Sequence, residues 1–344
     1  MGPPKVPPLP PDRADLFERL QSQVEDHLVL LDVTSDRLRS RGQRSWVWDA
    51  TQLPTDSHYV PVFLKLLADL ERSGEIAPDT HIIVETTTGN AGSAVAYLAR
   101  ELEYPVVIFM PEDMPAARIA DVRSYLPEGS ELRLTEKGRY VRGVVSALRD
   151  FLVEHKEAGY QNRQICVVNH SRRKAAAASI EECVCRLLQR LPTEGTIDTA
   201  VVALGNGTTA TGIARAVRQA NPKARIIGVE PLEAPWFYVQ KYGEESFRRR
   251  YLSQPGPHPH QLIGTGGWGV RFPNLDLGLL DDIVLVTEDE WQGQLARLRA
   301  RGFEVGYTSA ACQSVVEQLS VLHDDKIETY FSMFYDPISK YGNE

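Results

Sequence analysis

The chain has 344 residues, 42% of them hydrophobic, and a formal charge of −8. That length buries a core large enough for two domains, and the acidic balance leaves no broad basic field for a phosphodiester backbone, so nucleic acid is excluded as a main partner. Cys166, Cys183, Cys185 and Cys312 form neither a CxxC nor a paired metal spacing; no metal site is expected, and reduced thiols in a cytoplasmic protein are the reading.

The first residues, MGPPKVPPLPP, are Pro-rich without an apolar core segment, so residues 1–12 read as an extended or disordered lead-in rather than a signal peptide or anchor. No apolar run approaches the length of a membrane span, so no membrane partner is expected. Residues 54–63, PTDSHYVPVF, close a polar segment and open an apolar helical one. A β-branched run at 81–84 is followed by loop formers, helical spacing over 91–103 and an apolar run at 105–110.

The same strand, loop, helix, strand order returns at 199–204, 209–220 and 224–229. A third stretch, from residue 281, has a strand ending at Thr287, and Thr287 with Glu290 has the spacing of a capping box that starts the next helix. The segment 263–275, IGTGGWGVRFPNL, is dense in glycine and suits a loop lining a cleft. Repeated units of this kind predict an α/β protein, doubly wound, with ligands at the carboxyl ends of parallel strands.

Two loops stand where a ligand would bind. Gly205, Asn206, Gly207, Thr208 and Thr209 join a buried strand to a helix, where close backbone amides, hydroxyls and the helix dipole suit a phosphate; a tight turn of any α/β protein is the other reading. Thr86, Thr87, Thr88, Gly89 and Asn90 have the same placement and suit a carboxylate, with simple N-capping as the alternative.

ETTTGNAGSAVA, ALGNGTTATGIARAVRQANPKARIIGVEP, LIGTGGWGVRFPNLDLGLLDDIVLVTEDE and VGYTSAA lie in order along residues 45–320. In these segments the chain resembles the cysteine synthase branch of the fold-type II pyridoxal phosphate (PLP) enzymes, related to the tryptophan synthase β chain. The resemblance implies a smaller substrate-loop domain at 45–165 and a larger phosphate-loop domain made of 13–44 plus 166–344. It places the cofactor's phosphate on Gly205 to Thr209, its ring hydroxyl on Asn90 and its pyridine nitrogen on Thr308 or Ser309. Substrate carboxylate falls on Thr86, Thr87, Thr88 and Gly89, and family members are commonly homodimers.

Departures from the family begin in these loops, with Thr88 for its serine and Asn206 and Thr208 for its threonine and glycine. Counting without a gap puts Tyr59 where the family has its Schiff-base lysine, with His58 keeping a histidine found ahead of that lysine in the tryptophan synthase relatives. VVNHSRRKAAAAS stands where the family has Asn-Pro-Ala-Asn, and HLVLLDVTSDRL is the nearest counterpart of its Gly-Asn-Thr-Pro-Leu. A phenol forms no imine, and its ordinary pKa of about 10 makes it a poor base at neutral pH unless its surroundings lower that value. Lys65 lies roughly 600° further round the same helix, away from the face of Tyr59. Lys174, in a basic run, is the other candidate amine, with a solvated lysine as the plainer reading.

Three functions remain open. The first is an enzyme, lyase- or transferase-like, that uses Tyr59 and His58 as acid or base on an anionic, amino-acid-like or phosphorylated small molecule without a PLP–lysine imine. The second is a protein that binds PLP, or a PLP–amino acid adduct, without an imine at position 59, in β-elimination or β-replacement. The third is a catalytically dead paralogue that binds a partner or a metabolite. Weaker claims attach to Trp236, Phe237 and Tyr238, as cleft cover or packing, and to His258 and His260, as a metal pair or a mobile loop. Ser332 and Tyr335 read as site lining or as packing.

Overall fold

A computed structural model describes residues 9–192, 196–323 and 327–342. Along the chain the strands are β1 (Leu30–Asp32), β2 (Arg44–Asp49), β3 (His81–Thr86), β4 (Val106–Pro111), β5 (Glu131–Thr135), β6 (Gln164–Val167), β7 (Thr199–Ala203), β8 (Arg225–Pro231), β9 (Asp282–Val286) and β10 (Thr329–Phe334). They form two sheets, each in its own compact unit.

The first unit, residues 9–27, 53–170 and 340–342 of the described chain, holds the parallel sheet β5-β4-β3-β6. Every residue of β4, VVIFMP, is buried, as expected of a parallel strand covered on both faces. Its core gathers Ile82, Val84, Val107 and Phe109 against Val144 and Phe151 of the helix Tyr140–Glu154. The helix Tyr59–Arg72 buries Val60, Phe63, Leu64 and Leu67, the spacing of one helical face. Pro61 sits in its first turn, where a missing N–H costs no helical hydrogen bond.

The second unit, residues 28–52, 171–192, 196–323 and 327–339, holds the sheet β1-β2-β10-β7-β8-β9, parallel except for β1 against β2. The helices Lys174–Leu188 and Thr208–Ala220 pack closely through Gly212, where a Cβ would lie 2.6 Å from Ala177 O and from Ile180 Cβ. Thr287 and Glu290 make the expected capping box at the start of the helix Glu288–Ala300.

Each sheet reverses its strand order once. In the first the reversal falls between β3 and β6, in the second between β7 and β10; the loops leaving those strands flank the crevice where doubly wound sheets take ligands. The α/β, doubly wound architecture is the one expected from the sequence. The lead-in is shorter than expected, because Pro11 and Asp12 open the helix Pro11–Asp26 with proline at its favoured first position, while residues 1–8 lie outside the described part. Residues 13–27, expected with the larger domain, fall in the first unit with 340–342, and residues 45–52 fall in the second.

Candidate functional site

In the first unit the PTDS segment builds a tight turn: Thr55 and Asp56 adopt left-handed backbone angles, φ +60° and +49°, which cost a non-glycine residue on the order of 1 kcal/mol each. The buried Lys340 ammonium donates to Thr55 O (2.6 Å) and lies 3.1 Å from Asp121 Oδ2, holding this turn from the C-terminal end of the chain. Ser57 Oγ accepts the Tyr59 N–H (3.2 Å), so the tyrosine enters at the first residue of its helix.

Around Tyr59 three rings meet. His58, 4% exposed, lies 4.2 Å from it centroid to centroid, and His170 meets it edge-on at 5.1 Å while also facing Phe63 at 5.2 Å. His170 Nδ1 is 3.3 Å from Glu85 Oε2, the same oxygen that accepts the His170 backbone N–H at 3.1 Å. The other carboxyl oxygen accepts the Thr86 N–H at 2.8 Å. Glu85, 2% exposed, thus ties the loop after β6 to the end of β3 through two backbone N–H groups, close to the imidazole that meets the phenol. Neither Glu85 nor His170 is singled out by the sequence reading; the available signal is that His170 stands in the segment that departs from the family's Asn-Pro-Ala-Asn.

The loop after β3 is folded onto itself. Thr87 Oγ1 accepts the N–H groups of Gly89 (2.9 Å) and Gly92 (2.8 Å) and donates to Gly89 O (3.1 Å), so this hydroxyl, expected on a substrate carboxylate, serves the loop. Gly89 has φ +146°, and a Cβ there would lie 2.8 Å from Arg118 Nη1. The Arg118 guanidinium, buried against the loop, lies under the Tyr341 ring at 4.4 Å. Thr86 and Thr88 are half-buried on either side, and Asn90 begins the helix Asn90–Glu101.

In the second unit the loop after β7 is pinned by backbone. A Cβ on Gly205 would lie 2.2 Å from Gly264 O, and one on Gly207, whose φ is +87°, 2.3 Å from Leu275 Cα. The Thr208 N–H already donates to Asn206 Oδ1 (3.0 Å), and Asn274 Nδ2 donates to Thr208 Oγ1 (3.1 Å). Thr209 is buried one residue into the helix.

At the reversal between β7 and β10 the ladder pairs Tyr330 with Thr199 and Phe331 with Ala200. Beyond it, the Tyr335 phenol oxygen accepts the Ala203 N–H at 2.9 Å. Ser309 Oγ accepts the Tyr335 N–H at 2.9 Å; Thr308 and Ser309 are both buried in the helix Tyr307–Leu322. Burial pushes the nearby Cys312 thiol up to about 12. Ser332 is fully buried inside β10.

Phe237 and Tyr238 are core residues whose N–H groups donate to the buried Glu230 carboxyl at 3.0 and 2.8 Å. Trp236 packs on Trp268 at 5.1 Å. Among the described residues no three His, Cys, Asp or Glu side chains are grouped to hold a metal, and none of the helices is long and apolar enough to cross a membrane. Lys65 lies 4.0 Å from Asp69, and Lys174 lines a cavity of the second unit.

The family model described as pyridoxal-phosphate dependent enzyme matches residues 32–326. Cysteine synthase A of Escherichia coli K12 is 28% identical over 258 residues, 74% of this chain and 73% of that protein. The cysteine synthase of Buchnera aphidicola is 31% identical over 60% of each chain. Two solved structures share the fold: a hydrogen sulfide-producing enzyme of Fusobacterium nucleatum (TM-score 0.77, 23% identity, 92% and 97% covered) and O-ureido-L-serine synthase (0.78, 20%, 94% and 93%). The chain therefore belongs to the pyridoxal-phosphate dependent enzyme family, with cysteine synthases among its relatives.

Proposed function

We propose that this protein keeps the family scaffold but binds an anionic, amino-acid-like small molecule without a PLP–lysine imine, and that Tyr59, backed by His170 and Glu85, moves a proton on that molecule. The observation that carries the reading is the contact of Tyr59, at the position where the family's lysine is expected, with His170, whose Nδ1 lies 3.3 Å from Glu85. These residues do not fit PLP held in the family's manner. A phenol supplies no amine, the Thr208 N–H is already taken by Asn206, and Tyr335 takes the Ala203 N–H at the strand reversal.

The chemistry follows from that misfit. Removing the proton of an amino acid's α-carbon needs an electron sink that no side chain here provides, so that step is not assigned. Proton transfer at oxygen is within reach of a tyrosine–histidine pair. In hydrolysis of an O-acyl serine, water adds to the acyl carbonyl as its proton passes to the pair. The bond to the serine oxygen then breaks, and that oxygen takes the proton back. A serine-derived ligand is supported by the name of one protein that shares the fold, O-ureido-L-serine synthase. Glu85 holds the His170 backbone N–H and lies beside its ring, and the burial of His58 and His170 keeps water off one side of the phenol.

The test is release of acetate from O-acetyl-L-serine near neutral pH, followed by NMR, with no PLP added. Tyr59→Phe and His170→Gln should each lower the rate on the order of 100-fold, the usual scale of a general acid or base. A PLP imine absorption band in the purified protein would overturn the reading. Binding without turnover, unchanged in both variants, would favour a metabolite-binding paralogue, a reading supported by the internally satisfied hydroxyl of Thr87.

A further inference from the structure

The second unit contains a cavity of about 530 Å³ that the function above does not use. Lys174, Arg215 and Arg271 line it, with Asp276 as the acidic residue among the lining side chains, in a chain whose overall charge is −8. Asp276 is engaged locally, accepting the Gly278 N–H at 2.9 Å. Arg215 reaches Glu181 only at 4.0 Å, and among the described residues neither Lys174 nor Arg271 forms an ion pair. Three cations facing one concavity with so little acidic compensation repel one another, a cost that an anion between them removes.

Gln240 adds an amide, and Phe237 and Phe272, 6.3 Å apart, add an apolar wall. The volume falls within the usual range for small-molecule sites. The chemistry differs from that of the loop after β7, which offers backbone N–H groups and hydroxyls; here charged side chains converge beside aromatic rings. The two places share a wall. Asn274 lines the cavity, donates to Thr208 Oγ1 and accepts at its carbonyl from Thr211 Oγ1 at 2.7 Å.

We propose that this cavity is a binding site for a small organic phosphate that carries a ring, separate from the loop after β7. The phosphate lies among Lys174, Arg215 and Arg271, and the ring lies against Phe237 and Phe272. The inference is independent of the proposed reaction, since none of its residues takes part in it.

Isothermal titration of the full chain with phenyl phosphate tests it. The expected result is saturable binding that weakens as salt is raised and weakens at least tenfold in Lys174→Gln/Arg271→Gln. Arg271→Gln alone should give an intermediate loss. Both side chains are exposed, so the fold should be unaffected, and a thermal melt checks it. Arg248→Gln/Arg249→Gln removes the same charge from the helix Glu244–Tyr251 and should leave the affinity within twofold. Absence of binding, an affinity unchanged in the cavity variant, or an equal loss in the Arg248/Arg249 control would each overturn the assignment; the second would place the phosphate elsewhere, as in the loop after β7.

Discussion

The loops after β3 and β7 occupy equivalent places, each joining a buried strand to a helix beside a strand reversal, yet they are held by different means. In the first, one hydroxyl, Thr87 Oγ1, organises the turn through two amides and a carbonyl, and Arg118 backs it. In the second, Gly205 and Gly207 lie directly against the backbone of Gly264 and Leu275. A loop held by a side chain tolerates changes of ligand chemistry as long as that side chain stays. One held by backbone contact leaves no room for a Cβ at those glycines, whatever the neighbouring side chains are.

The largest expected effect tests the backbone-held loop. Gly207→Ala places a Cβ into Leu275 at a positive φ and should destabilise the protein by about 3 kcal/mol or more, read as a lower urea midpoint. A midpoint close to that of the unaltered protein would mean that Leu275 yields easily and the contrast fails.

On the other side, Thr87→Val keeps the shape but strands the Gly89 amide, the Gly92 N–H keeping Gly89 O at 2.8 Å, and should cost about 2 kcal/mol, whereas Thr87→Ser should stay within about 1 kcal/mol. Equal effects of the two substitutions would show that the methyl, not the hydroxyl, holds the loop.

The loops should also differ in acid. His260, whose Nε2 lies 3.6 Å from where a Gly266 Cβ would be, is held neutral by burial with its pKa lowered to about 4; the Gly266 N–H in turn donates to Leu204 O, at the start of the loop after β7. The unfolded chain then binds the extra proton between pH 6.5 and 4, so stability falls as pH drops through that window, by about 2 kcal/mol after allowance for partial exposure. Denaturant titrations of His260→Gln should lack that component.

The smallest effect concerns Glu230, whose carboxyl burial raises to about 8 against the pull of the Phe237, Tyr238 and Trp236 backbone N–H groups. A raised carboxyl pKa gives stability that is full below pH 4.5 and lost as pH rises toward 8. Glu230→Gln should therefore match the unaltered protein within about 1 kcal/mol near pH 4.5, where both side chains are uncharged, and lack the decline above it. A variant that unfolds at neutral pH would show that Glu230 is ionised there.

Much of the architecture was legible because it is written in short-range pattern. Alternating β-branched runs, helical spacing, glycine-rich turns and the Thr287–Glu290 box each depend on residues a few positions apart, and each appears in the structure close to its expected bounds. The placement of helix Pro11–Asp26 and residues 340–342 with the first unit was not legible, since it depends on which distant surfaces they bury.

The sequence by itself determined the α/β fold, the two strand-to-helix loops at 86–90 and 205–209 and the aromatic residue at position 59, because local periodicity and turn chemistry specify them. Only the tertiary structure decided what surrounds that residue. Glu85 and His170 come from different strand ends, and Lys340 returns from the end of the chain. Such contacts follow from sheet order and packing, which bring together residues whose spacing along the chain carries no signal.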